Sequence, residues 1–194
     1  REDTIFTKAV SEEYLGKVLP IISAEGSDSA MLDNALEFMI MGGMAPALAA
    51  MILIPEPWEH NDTITQAERD FYQYYATMME PWDGPASIMF SDGDVMGAIL
   101  DRNGLRPSRY YIMDDGRLIL SSEVGVLKLD EAHILKKERL HPGKMLLVDT
   151  KEGRIISDVE LKEKYAKKEP YGEWLDSNLL LLKDVKVPNS KIPE

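Results

Sequence analysis

None of the 194 residues is a cysteine, so this stretch of chain can form no disulfide, hold no metal through thiolate and supply no thiol nucleophile. Basic residues are also scarce. Lys and Arg number 22 against 34 Asp and Glu, a formal net charge of −12, and the densest basic cluster is only Lys136, Lys137 and Arg139. That balance argues against a nucleic acid or an anionic membrane as partner, and the acidity reads as a well-solvated surface. Histidine occurs three times, as His60, His133 and His141, with no pair at metal-ligand spacing, so no metal site is expected. No apolar run approaches the roughly 20 residues that cross a bilayer, and no basic stretch followed by an apolar segment opens the chain. A soluble intracellular protein is the expectation. Also missing are a G-x-S-x-G elbow, a Walker loop and a dinucleotide fingerprint, which leaves serine-hydrolase and phosphate-cradling chemistry without a motif. What is present is a 44% hydrophobic content and enough length for one domain or a large part of one. Residue 1 is Arg, which reads as the start of a piece cut from something longer.

The apolar spacing divides the chain. After a mixed segment over 1–26, Met31, Leu32, Ala35, Leu36, Phe38, Met39 and Ile40 recur at helical intervals, with Ser27 or Asp28 as N-cap and Gly42-Gly43 as the stop. A second helix is predicted from Ala45 to Leu53, with Pro46 in its first turn. A third is predicted from a cap at Asn61-Asp62-Thr63 to about Met79, with Phe71, Tyr74, Tyr75 and Met78 on one face. Then the period becomes two. Short runs at 86–90, 95–100, 109–113 and 117–121, separated by Asp- and Gly-rich turns, read as an antiparallel meander. Further strands are expected at 134–140, 144–149 and 154–157, and helices at 159–167 and 172–182, before an extended linker. Together these make an α+β layered domain.

Three stretches exceed what plain structure demands. Gly26-Ser27-Asp28-Ser29-Ala30 places a carboxylate at a helix N-terminus; it reads first as a cap, with binding of a substrate ammonium as the functional alternative. Leu100-Asp101-Arg102-Asn103-Gly104-Leu105-Arg106-Pro107 reads first as a hairpin connection, yet it is longer than a tight turn needs and concentrates charge, so it is also a candidate cleft wall. Ser121-Ser122-Glu123 reads as a helix cap after a strand. Asp92, Asp94 and Gly97 open like an EF-hand loop, but Met96 stands where an oxygen ligand is needed and Asn103 where the loop requires its terminal bidentate Glu, so a hairpin turn is preferred.

In this order, G-S-D-S-A, D-R-N-G-L-R-P and S-S-E-V-G-V-L resemble the S-D-[ST], D-x-x-G-x-R-P and [AS]-S-E segments of the class II, N-terminal-nucleophile glutamine amidotransferases. The run Met78-Met79-Glu80-Pro81-Trp82-Asp83-Gly84-Pro85-Ala86 is similar to the glutamate synthase branch in particular, as are Leu53-Ile54-Pro55-Glu56 and the segment from Pro142-Gly143-Lys144-Met145 to Asp149-Thr150. The resemblance implies a four-layer αββα sandwich with largely antiparallel sheets, of which residues 1–182 would be the C-terminal part and 183–194 a linker to the next domain. It implies a nucleophilic cysteine at the mature N-terminus, upstream of this chain, that hydrolyses L-glutamine to glutamate and ammonia for transfer to 2-oxoglutarate. The oxyanion Asn-Gly and the arginine that clamps the glutamine carboxylate would also lie upstream, Arg1-Glu2-Asp3 being similar to the sequence shortly after the oxyanion segment. By position, Asp28 would bind the glutamine α-amino group, and Asp101, Arg102 and Asn103 would wall the cleft, with Glu123 structural. FMN and an iron–sulfur cluster would sit in other domains, and a eukaryotic parent would place the protein in a plastid or organelle stroma. The chain alone would be inactive and, with open sheet edges, prone to self-association. The alternative is a non-enzymatic α+β interaction or regulatory module that keeps the fold.

Overall fold

The computed structural model describes residues 12–185. Six α-helices and seven strands follow in the order α1 (Glu12–Val18), α2 (Asp28–Met41), α3 (Pro46–Leu53), α4 (Gln66–Ala76), β1 (Ser87–Ser91), β2 (Val95–Leu100), β3 (Arg109–Met113), β4 (Leu118–Ser121), β5 (Ile134–Arg139), β6 (Met145–Asp149), β7 (Arg154–Ile156), α5 (Asp158–Ala166) and α6 (Tyr171–Asn178). The expectations for residues 1–11 and 186–194 lie outside the described residues.

The first long helix, α2, begins as its sequence requires. Ser27 is the N-cap, and its Oγ accepts the N–H of Ala30 at 3.3 Å, which leaves Asp28 as the first helical residue. The helix stops at Gly42. Helix α3 carries Pro46 in its first turn and buries every residue from Ala47 to Leu53, so it is apolar all round and forms the centre of the core. Helix α4 starts later than predicted. Asn61 caps nothing helical; its Oδ1 accepts the N–H of Thr63 at 3.0 Å in a local turn, whose carbonyls at Trp58, Glu59 and Asn61 take three bonds from the Arg69 guanidinium. The helix begins instead at a reciprocal capping box, in which Thr65 accepts from the Glu68 N–H and the Glu68 carboxylate accepts from the Thr65 N–H. It ends at Ala76, short of Met79. Helix α1 lies in the stretch where the sequence pattern gave no helix, and α6 closes at Asn178 rather than Leu182.

The strands form where expected but do not continue as one meander. They divide into a four-stranded sheet, β1-β2-β6-β7, and a three-stranded sheet, β4-β3-β5, every pairing antiparallel. After β2 the chain leaves the first sheet, builds the second, and returns to lay β6 against β2. Alternation explains the separation. Ile99 on β2 and Met145 and Leu147 on β6 face the helices, while Ala98, Leu100 and Leu146 face the second sheet, where Tyr110, Leu118 and Leu120 meet them. All six helices contribute to the first of these clusters. The described residues thus make a helical layer, a sheet and a second sheet, three layers of the expected sandwich.

Gly97 on β2 sits directly across from Phe90 on β1, and the Phe90 ring lies over it, 2.1 Å from where a Cβ would be. The ring takes the place of a side chain at that point. Gly97→Ala is therefore expected to push Phe90 out of the helical core and lower stability by about 1–3 kcal/mol. Urea unfolding reads this as a lower midpoint at unchanged slope, and a variant as stable as the parent would show that the ring swings aside freely.

Candidate functional site

Asp28 stands at the N-terminal end of α2 with its side chain exposed and, among the described residues, without a hydrogen-bond or ion-pair partner. Its neighbours are committed. Ser27 caps the helix, and Ser29 Oγ lies 3.1 Å from Ser27 Oγ. The chain before the cap is a tight turn in which the Gly26 N–H donates to Ser23 O at 3.0 Å and the Ser23 N–H donates to Asn34 Oδ1 at 3.1 Å. Ser29 also lines an open groove of about 710 Å³ between α2 and β1, with Leu32, Asp33, Leu36 and Glu37 along the helix side. An exposed carboxylate without a partner among the described residues can pair with a cation presented by a small molecule, and the Ser27 cap fixes the helix end from which it does so.

The loop after β2 is occupied differently. Asp101 is only 2% exposed. Its Oδ1 accepts the Ala86 N–H at 2.9 Å, and its Oδ2 accepts the N–H groups of Asn103 and Gly104 at 2.9 and 3.1 Å, so the carboxylate organises its own loop and fastens it to the start of β1. Gly104 has φ +60 and a Cβ there would meet Pro142 Cγ at 2.4 Å, which requires glycine at the crossing. Arg102 pairs with Asp83 at 3.1 Å on the surface, joining the loop to the Trp82-Asp83-Gly84 turn, and Asn103 is exposed. Among the described residues no hydrogen bond or ion pair joins Asp28 to residues 101–103. Ser121 Oγ donates to Glu123 O and accepts the Glu123 N–H; this closes a turn and no helix follows directly. Asp92 Oδ1 accepts the N–H groups of Asp94 and Val95 in the β1–β2 hairpin, and no group of three or more metal-ligating side chains occurs among the described residues.

Sequence reasoning missed a buried charge cluster. Lys162 on α5, 4% exposed, places Nζ 2.7 Å from Glu56 Oε1, 2.8 Å from Asp158 Oδ2 and 3.0 Å from Gly143 O. Lys144 Nζ closes the set at 3.1 Å from Asp158 and 3.5 Å from Glu56, while Asp158 Oδ1 accepts the Met145 N–H and Tyr72 OH donates to Glu56. Burial, followed by the charge of Glu56, pushes the Tyr72 phenol well above its ordinary range, which keeps it a donor. Burial works against the Lys144 ammonium, but Asp158 and Glu56 outweigh it and its pKa is raised. Gly143, at φ +63, approaches so closely that a Cβ would lie 2.6 Å from Glu56 Cβ. One signal was available: Lys162 follows Asp158 by four residues and precedes Ala166 by four, on the buried side of α5.

Against known proteins, residues 1–174 match the model of the class-II glutamine amidotransferases. The chain belongs to that family. Its relatives carry a narrower description. It is 53% identical over 180 residues to the glutamate synthase [NADPH] large chain of Bacillus subtilis, covering 93% of this chain and 12% of that one. It is 46% identical to the glutamate synthase [NADH] of Schizosaccharomyces pombe, over 93% of this chain and 8% of that one, and 44% identical to the ferredoxin-dependent glutamate synthase 2 of Arabidopsis thaliana, over 91% and 11%. The chain thus spans about a tenth of the length of these relatives. The α+β fold of the described residues agrees with the N-terminal-nucleophile hydrolase fold of the family, and no described helix is long and apolar enough to cross a membrane.

Proposed function

We propose that this chain is the glutamine-anchoring part of the amidotransferase domain of a glutamate synthase. The observation that carries the reading is the Asp28 carboxylate, exposed and without a partner among the described residues, within a family S-D-S motif at the capped start of α2. Glutamine presents an α-ammonium, and a fixed carboxylate binds it through a charge-assisted hydrogen bond that orients the carboxamide. A cysteine thiolate from the preceding part of the parent adds to the carboxamide carbon, ammonia leaves, and water hydrolyses the thioester to glutamate. This chain contributes no nucleophile to those steps. Its part is to hold the substrate amine, and residues 101–103 brace a neighbouring loop rather than touch the reacting atoms.

In the parent, the released ammonia would meet 2-oxoglutarate at a synthase site served by FMN and an iron–sulfur cluster. The cluster would belong to other domains, since a chain without cysteine offers it no thiolate, and FMN is placed with it by the family resemblance. The boundary of the amidotransferase part falls near residue 182, with 183–194 leading to the next domain, and the setting is a soluble compartment, cytoplasm or organelle stroma. Among the described residues β1, β7, β4 and β5 are the sheet edges, which favours self-association of the chain alone.

The test is reconstitution. The isolated chain is expected to release no ammonia from glutamine, and co-expression with the preceding segment bearing an N-terminal cysteine is expected to produce glutaminase activity. A folded, stoichiometric complex with no activity would refute the enzyme reading in favour of a binding or regulatory module.

A further inference from the structure

The position of Asp28 depends on the path of the chain that leads into α2, and a side chain from inside the helix reaches back to that path beside the core packing of Ile21 and Ile22. Ser27, Ala30 and Asn34 share one face of α2, since residues four and seven apart stack above one another. Asn34 is half-buried on that face, and its Oδ1 accepts the Ser23 N–H at 3.1 Å, reaching back across eleven residues to the turn before the cap. The turn is tight. The Gly26 N–H donates to Ser23 O at 3.0 Å, and a Cβ on Gly26 would lie 3.1 Å from that oxygen and 3.3 Å from Ala30 Cβ, so the loop rests directly on the first helical turn. Ser27 fixes the helix side of Asp28 and Asn34 fixes the loop side. The Asp28 carboxylate itself makes no hydrogen bond or ion pair among the described residues, so its backbone placement in the first turn sets where it stands.

We infer that Asn34 is a positioning residue for glutamine binding: by clamping Ser23 it fixes the turn from which the Asp28 carboxylate is presented to the substrate ammonium. The inference rests on the assignment of Asp28 as the amine anchor. A charge-assisted pair depends steeply on direction and distance, so a loosened turn weakens binding without touching the nucleophile.

The test is glutaminase kinetics in the full-length polypeptide. Asn34→Ala is expected to raise KM for glutamine about two- to tenfold, the range of one lost hydrogen bond, with kcat retained. Asn34→Asp, whose carboxylate oxygen accepts the same N–H, is expected to return KM toward the parent value. Asp28→Asn must raise KM by more than either. Thr65→Ala, which removes the cap of a different helix at comparable cost in stability, is expected to leave KM alone. An unchanged KM in Asn34→Ala beside a raised KM in Asp28→Asn overturns this inference and leaves the anchor standing. A KM unmoved by Asp28→Asn removes the anchor as well, and an equal KM rise in Thr65→Ala reduces the effect to general destabilisation and overturns it too.

Discussion

Lys162→Met is expected to destabilise the fold by about 3–5 kcal/mol, the cost of removing one member of a buried ion cluster. The ammonium lost is within 3.0 Å of Glu56, Asp158 and the Gly143 carbonyl, and the methionine that replaces it fills the stem's volume while offering no charge and no donor. Glu56 and Asp158 would then share Lys144 alone, which stands farther from Glu56 at 3.5 Å and is partly in water. Against a typical domain stability of about 5–15 kcal/mol that is a large fraction, and it corresponds to a fall of roughly 6–20 °C in Tm for a chain of this size. The partner variant sharpens the reading. Glu56→Gln in the Lys162→Met background removes one charge of each sign, so the double variant is expected to lose less than the sum of the single losses. Strict additivity would show that these side chains do not act as a unit. The sign of the pH response follows from the raised pKa of Lys144: its contribution is complete below the ordinary lysine pKa and is lost as pH rises through the higher folded value, so neutral solution leaves the cluster intact.

Asp101→Ala is the second large expected effect, about 3–4 kcal/mol, because three backbone N–H groups lose their acceptor at once. The Ala86 amide is buried and has no route to water, whereas those of Asn103 and Gly104 are partly accessible, so the first accounts for most of the loss. Asp101→Asn is not benign either. It leaves one carbonyl oxygen for two sites and turns an NH2 toward a donor. Hydrogen exchange locates the damage: the amides of residues 86, 103 and 104 should lose protection ahead of the β2–β6 ladder. Arg102→Ala provides the contrast, since its pair with Asp83 is exposed and is worth less than about 1 kcal/mol. Equal losses from the two neighbours would contradict the division between a buried brace and a surface pair.

The helices and strands were largely written in local signals. Ser27 and Gly42-Gly43 bracket α2, Pro46 opens α3, and each strand is a period-two run between turn residues. Local signals compete at the start of α4. Asn61-Asp62-Thr63 has the composition of a cap, but Thr65-Gln66-Ala67-Glu68 has the reciprocal geometry, and two satisfied donors outweigh one. Strand order was beyond the pattern, because alternation says which face of β2 is apolar and not which strand lies beside it. Consecutive strands pair often enough to suggest a meander, and here β2 takes β6 instead of β3. At the candidate site the local sequence offered Ser27 or Asp28 as the cap, and Ser27 takes that place; a binding role for Asp28 is suggested only by family resemblance. Lys162 was legible only faintly, through its four-residue spacing from Asp158 and Ala166. In a Lys- and Glu-rich segment it looks like one more solvated charge, and its partners at 56 and 143 come together only when α5 packs on β6.

The return of β6 to β2 also sets an order of assembly. The β1–β2 and β3–β4 hairpins are closed by short turns, and such units form in about 1–10 μs. The β2–β6 ladder must instead bring Ile99 to Met145 across the whole of residues 101–144. If those residues are first shortened into a packed three-stranded unit, the span to be closed is far less than a flexible loop of that length. Folding speed is then governed by the second sheet and by the Asp101 brace at its entrance, and refolding after dilution from denaturant should gain β3–β4 amide protection before β2–β6 protection.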